Sequence, residues 1–346
     1  MFLSVGLCEL SGKINMKLID NFNRIHDYVR ISLIDKCNLN CIYCNPSNSF
    51  VRFESNKSIL TYEELFRLIK IFVRDLEVKK IRFTGGEPLI RKDVLKFFEM
   101  ISSLKNKYDF EIGITTNGTH LLDKLDSLLN FGVERLNISL DTLNKTKFIA
   151  ITGRDYLDET LTAIQKAVSM KFRSVKVNMV VIKNINDDEL SDFVEYFRSY
   201  PITLRFIEYM PFTGNQWDDS KFLSWKEMKS RIEENFSLTE IQSDGKVSKD
   251  YFVNNSNLKV GFISSISDHF CDSCNRLRIT AAGQIKNCLF SNPSDLSLKS
   301  LLADDTVSDD MIIEFIKNSL QSKWLKHPSV DELLQLNQNN MMSIGG

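Results

Sequence analysis

Between Tyr28 and about Met210, short β-branched runs alternate with longer stretches in which apolar residues recur every three or four positions. The runs Tyr28–Ile34, Lys80–Thr84, Phe110–Thr116, Glu134–Leu140, Val175–Ile182 and Thr203–Tyr209 predict six strands. The stretches between them, such as Thr61–Leu76 and Leu157–Met170, predict helices. Thr61 with Glu64 three residues later forms a capping box, which fixes where the first helix begins. Strands separated by helices lie parallel with right-handed crossovers. Six such units imply an α/β fold: a partial, open (β/α)6 TIM-like barrel in preference to a closed eight-unit one, with a doubly wound sheet also compatible. In either architecture ligands gather at the carboxyl ends of the strands.

After Pro211 the pattern changes. A Gly-, Asn- and Asp-rich stretch, Phe212–Ser220, leads to a helix near Trp225–Asn235 and strands around Tyr251–Asn254, Lys259–Ile266 and Leu277–Thr280. Helices near Leu296–Ala303 and Asp309–Trp324 follow. The expected organisation is an N-terminal extension over 1–22, a core barrel over 23–220, and an α+β region over 221–346 that packs against the barrel. The terminal Gly345-Gly346 reads, by itself, as an ordinary frayed end.

Composition narrows the class. With 43% hydrophobic and 26% charged residues the 346-residue chain is neither disordered nor collagen-like. Its 44 Lys+Arg balance 45 Asp+Glu, so no overall basic field invites nucleic acid or an anionic membrane, and an anionic ligand must meet a local pocket. The longest apolar runs fall short of a membrane span, and Glu9 and Lys13 make a poor signal peptide. A cytoplasmic location follows as the expectation.

Seven cysteines are too few for a secreted disulfide scaffold, but six of them fall into two trios, with Cys8 alone. Cys37, Cys41 and Cys44 lie on the loop after the first strand. Three thiolates there can converge on one metal centre, yet no nearby side chain supplies the fourth ligand of a closed zinc site. An iron–sulfur cluster held this way leaves one iron open to a chelating small molecule. Cys271, Cys274 and Cys288 form the second trio, with His269 two residues upstream, so a Cys3His zinc site is an alternative there. Cys274-Asn275-Arg276-Leu277-Arg278 sets two guanidiniums at alternate positions, on one side of an extended segment. Arg30, Arg82, Lys176 and Arg205 add cations to barrel strands whose inward positions are normally apolar, which suggests an interior anion. No G-x4-G-K-[ST] phosphate loop is present.

The C-x3-C-x2-C spacing, with Tyr43 before its last cysteine, resembles the defining motif of the radical S-adenosylmethionine enzymes. Thr84-Gly85-Gly86-Glu87-Pro88 resembles their GGEP motif. The two trios, Arg205-Phe206-Ile207-Glu208-Tyr209-Met210, the Cys274–Arg278 segment and the Gly-Gly end extend the likeness to the GTP 3′,8-cyclase family, from about Asn23 to Gly346. The resemblance implies two [4Fe–4S] clusters, the second opening toward the guanine base. It also implies a 5′-deoxyadenosyl radical that takes the ribose 3′ hydrogen of GTP, after which the ribose carbon joins C8. It assigns S-adenosylmethionine to Tyr43, Gly86, Ser139 and Met210. Glu87 is read as able to meet the ammonium group of that cofactor. GTP falls to Arg30, Arg82, Thr115, Lys176, Arg276, Leu277 and Arg278, with no side-chain acid or base for the first step. It further implies an electron donor, a cyclic pyranopterin monophosphate synthase to receive the product, and a Gly-Gly tail reaching the active site; a homodimer is compatible. Ile34 departs from the Thr that the family commonly places there. Two rivals stand beside this reading: a radical S-adenosylmethionine peptide- or protein-modifying enzyme with an auxiliary cluster, and a zinc-stapled binding module without enzymatic activity.

Overall fold

The computed structural model describes residues 17–44, 58–242, 247–294, 297–336 and 341. Six strands form where the alternation predicts them: β1 (Tyr28–Ser32), β2 (Lys80–Thr84), β3 (Glu111–Thr116), β4 (Val133–Ser139), β5 (Ser174–Val181) and β6 (Thr203–Glu208). They pair in chain order and in parallel. The period of two has a clear consequence in β5 and β6. Val175, Val177, Met179, Val181, Leu204 and Phe206 are buried among the helices, whereas Lys176, Asn178 and Arg205 point the other way, into the barrel.

The first helix, Tyr62–Arg74, begins at the expected capping box: Glu64 N–H donates to Thr61 Oγ1 (3.2 Å) and Thr61 N–H to Glu64 Oε2 (2.7 Å). Its Leu65, Leu68, Ile69, Phe72 and Val73 bury one stripe against the sheet, each contributing about 2 kcal/mol of transfer free energy.

The C-terminal region does more than pack against the barrel. It adds β7 (Leu238–Glu240), β8 (Lys249–Val253), β9 (Lys259–Ile263), β10 (Arg276–Ile279) and β11 (Ile285–Lys286). All join one sheet in the order β11-β10-β1-β2-β3-β4-β5-β6-β9-β8-β7. β10 runs parallel to β1 and β9 parallel to β6, so the wall holds eight consecutive parallel strands, two more than the six βα units supply. The ring stays open because the free edges of β9 and β10 carry antiparallel β8 and β11 instead of each other.

Two further ties shape the site. Glu208, fully buried at the end of β6, accepts the backbone N–H of Trp225 (2.9 Å), Ile266 (2.9 Å) and Ser267 (3.0 Å), pinning the loop that enters Cys271. Residues 17–22, expected as part of an extension, are built into the fold. Leu18 is buried, Ile19 bridges Ile25, and Asn21 Nδ2 donates to Gln321 O (2.7 Å). Cys8, Gly345 and Gly346 lie outside the described residues.

Candidate functional site

All six cysteines of the two trios are unpaired and line one cavity of about 280 Å³ at the carboxyl ends of the parallel strands. The first trio is placed by backbone packing. After β2 the chain lies flush on the segment running to Cys37: Gly86 N–H donates to Ile34 O (2.7 Å) and Glu87 N–H to Lys36 O (2.9 Å). A Cβ on Gly86 would stand 2.2 Å from Lys36 O, and one on Gly85, whose φ is +155°, would stand 2.3 Å from Ile34 O. The glycine pair is therefore required first by the cysteine loop itself. Cys37 Sγ accepts from Leu39 N–H (3.4 Å) and Asn117 Nδ2 (3.6 Å).

Glu87 differs from the expectation. It is fully buried and outside the cavity lining, and its oxygens accept from Leu89 N–H (3.0 Å), Thr116 Oγ1 (2.8 Å) and Asn117 N–H (2.7 Å). It locks the end of β3 to the turn after β2, so its carboxylate faces protein donors instead of open space. Tyr43, Gly86, Ser139 and Met210 do line the cavity. Tyr43 Oη donates to Asp141 Oδ2 (2.6 Å), and Val180 N–H to Asp141 Oδ1 (2.9 Å).

The electrostatics of the two trios are opposite. Burial pushes the Cys37 thiol up to about 11 and raises Cys41 and Cys44 well above the ordinary range, Asp141 and the neighbouring thiols adding to the effect. Burial also lifts Asp141 to about 6 and Glu87 to about 7. Such thiols need a cationic centre to ionise, which an iron cluster supplies. Around the second trio, burial raises Cys271. Burial acts the same way on Cys274, but Lys323, Arg276 and Arg24 outweigh it and hold the thiol below its usual value. Lys323 Nζ donates to Arg276 O (3.0 Å) and to Asn287 O, while Arg24 Nη1 donates to Cys271 O (2.8 Å). His269 lines the cavity beside His327, their rings 5.3 Å apart. Among the described residues no three His, Cys, Asp or Glu side chains are grouped to hold a single metal ion. A four-iron cluster is a larger group, and its thiolate ligands stand farther apart than those of one zinc ion.

Arg30, Thr115, Arg205, Arg276 and Arg278 also line the cavity. Arg82 lies beneath it, its Nε donating to Tyr28 Oη (2.8 Å) and its Nη1 to Ile114 O (2.9 Å). Lys176 is likewise outside the lining; burial and Arg205 push its ammonium down to about 7, with Asp250 opposing. Leu277, expected to contact GTP, is fully buried in the core and lies outside the lining. Tyr28, Asp141 and Asn178 went unread in the sequence. Tyr28 is the most telling: Arg30 and Arg276 lie 5.6 Å and 5.8 Å from its ring, and against burial these guanidiniums and Arg82 hold its phenol well below the ordinary range. Its only sequence signal is its place two residues before Arg30, on the same face of β1.

Comparison with known proteins agrees. Residues 31–197 match the Radical SAM superfamily and residues 202–329 match Molybdenum Cofactor Synthesis C. A GTP 3′,8-cyclase of Thermodesulfovibrio yellowstonii is 40% identical over 300 residues, 86% of this chain and 92% of that one. The chain belongs to the GTP 3′,8-cyclase family of radical S-adenosylmethionine proteins. That superfamily carries a [4Fe–4S] cluster and S-adenosylmethionine. Molybdenum cofactor biosynthesis protein 1 of Dictyostelium discoideum is 46% identical over 333 residues, 95% of this chain but 52% of that protein. The chain thus spans about half the length of that relative. Among solved structures, Streptococcus suis SuiB bound to S-adenosylmethionine superposes with a TM-score of 0.59 at 14% identity, over 87% of this chain and 69% of SuiB, a likeness of fold.

The flush packing at Gly86 makes a direct prediction for this family member. Gly86→Ala should cost about 1–3 kcal/mol and displace the loop before Cys37, lowering both iron content and melting temperature. Wild-type iron and an unchanged melting curve would show that the close approach does not position the thiols.

Proposed function

We propose that this chain is a GTP 3′,8-cyclase, converting GTP to (8S)-3′,8-cyclo-7,8-dihydroguanosine 5′-triphosphate at the start of molybdenum cofactor biosynthesis. The observation that carries the reading is the meeting of two three-thiol sets and a bank of guanidiniums on one cavity. In this reading Cys37, Cys41 and Cys44 hold the first cluster, and Tyr43, Gly86, Ser139 and Met210 surround S-adenosylmethionine. Cys271, Cys274 and Cys288 would hold a second [4Fe–4S] cluster, which would supply an iron able to bind the guanine base. Once bound, the first cluster and S-adenosylmethionine would supply radical chemistry for taking a hydrogen from the substrate. The protein's share is placement. Arg30, Arg276 and Arg278 grip the triphosphate from the cavity wall, Arg82 and Lys176 support it from beneath, and Thr115 adds a hydroxyl. Fixing base and phosphates at once presents the ribose 3′ hydrogen to the radical and keeps C8 within reach of the carbon it leaves behind. The conversion consumes one electron to open S-adenosylmethionine, then a second electron and a proton to quench the cyclised nucleotide, hence the need for an electron donor. The peptide-modifying alternative shares the fold, but a cavity walled by four arginines favours a polyphosphate over a peptide.

The test is anaerobic incubation with S-adenosylmethionine, a reductant and GTP deuterated at the ribose 3′ position. Deuterium is expected in the released 5′-deoxyadenosine, together with a cyclised isomer of GTP resolved by chromatography and mass spectrometry. Unlabelled 5′-deoxyadenosine, with GTP recovered unchanged, would refute the activity.

Lys176 gives a pH signature. Its ammonium is held down to about 7 in the free protein, and a phosphate favours the charged form, so above that pH binding must take up a proton. GTP affinity measured by calorimetry should fall up to about tenfold per unit from about pH 7 to about pH 9, and Lys176→Arg should flatten the slope. A flat wild-type profile would remove Lys176 from the phosphate site.

A further inference from the structure

The strand register sets four cations in one row. Lys286 on β11 stands directly opposite Arg278 on β10, Arg278 opposite Arg30 on β1, and Arg30 opposite Arg82 on β2. Directly opposite residues project from the same face of a sheet, and like charges so placed repel. Arg278 and Arg30 reach the cavity, and Arg82 is bonded to Tyr28 and Ile114. Lys286 fits neither description. It is 0% exposed and absent from the cavity lining, and among the described residues its Nζ has no hydrogen-bond partner. A buried ammonium in this condition is costly unless an anion faces it. Fully buried behind the lining, it makes no contact with a ligand in the cavity. The group beside it that can supply an anion is the Cys288 thiolate, two residues along the chain from the end of β11 and on the cavity wall.

We propose that Lys286 is a built-in counter-cation of the second iron–sulfur cluster, a positioning residue that acts through Cys288 to make that cluster easier to reduce without touching GTP. The inference rests on the reading that the second trio holds a cluster. A cation fixed beside a cluster stabilises its more negative, reduced form and so raises its reduction potential. Lys286 thereby extends the contrast between a first trio beside Asp141 and a second among Lys323, Arg24 and Arg276. A lysine one residue before an asparagine and two before a cysteine has no sequence signal of its own; the row appears only once β10 and β11 pair.

The experiment uses the holoenzyme with Lys286→Met, Lys286→Gln and Lys286→Arg. Each is assayed for iron and then titrated electrochemically under electron paramagnetic resonance, with S-adenosylmethionine marking the signal of the first cluster. The neutral variants should shift the second cluster's midpoint to more negative potential, Lys286→Arg should stay near wild type, and the GTP dissociation constant should be unchanged in all three. If only the neutral variants lose iron, the same dependence on charge is read from metal content. An unmoved midpoint in a fully loaded neutral variant overturns the proposal. So does a several-fold loss of GTP affinity at constant midpoint, which would place Lys286 on the phosphates, or loss of iron in all three variants alike, which would make shape the determinant. Wild-type protein holding only the first cluster's iron would sink the two-cluster reading as well, whereas a second cluster with an unmoved midpoint sinks the inference alone.

Discussion

The barrel is organised around the cost of keeping cations out of water. An ordinary barrel of this kind is filled with layers of branched apolar side chains. Here the register lines up Lys286, Arg278, Arg30 and Arg82 across adjacent strands, with Lys176 and Arg205 farther round the wall. Two unit charges about 5 Å apart repel by about 3 kcal/mol at an effective dielectric of about 20, so the row is stable only where phenol, carbonyl, thiolate or ligand anions answer it. Tyr28 and Ile114 O answer Arg82 from within the protein. Four arginines line the cavity, and a polyphosphate is the chemistry that satisfies several at once. The open edge of the sheet, where β8 and β11 replace a closing pair, leaves this interior accessible.

The two trios divide the electrostatic work. Cys41 and Cys44 are buried near Asp141, which opposes their ionisation; a cluster bound there would be favoured in its less reduced form. Cys274 sits among Lys323, Arg276 and Arg24, which favour the thiolate and a cluster that holds charge. One cavity thus has a thiol set beside a carboxylate at one end and a thiol set among cations at the other.

Much of this was legible in the chain. The alternation in β5 and β6 gave strands whose inward face carries Lys176 and Arg205, and the Thr61–Glu64 box gave the start of the first helix. The cysteine spacing, with its neighbouring Gly-Gly and Arg-x-Arg, pointed to two three-thiol sets, and the fold brings all six cysteines to one cavity. What stayed hidden is what depends on long-range pairing. β10 is four residues with charges at alternate positions, and only its place beside β1, about 250 residues earlier in the chain, makes it a barrel wall. A similar distance hid the bond from Asn21 to Gln321 O, so that residues 17–22 read as an extension. Glu87 was read as facing a ligand because the motif sits at a strand end, whereas the protein donors around it belong to the end of β3 and the turn after β2.

The central claim is that two open thiol sites face one cavity and take different ligands. Electron paramagnetic resonance of the fully reduced, anaerobic protein tests it most directly, with S-adenosylmethionine and GTP added separately. The account predicts two resolved cluster signals, one perturbed by S-adenosylmethionine alone and the other by GTP alone. A single cluster signal, or one signal that answers to both ligands, would contradict it.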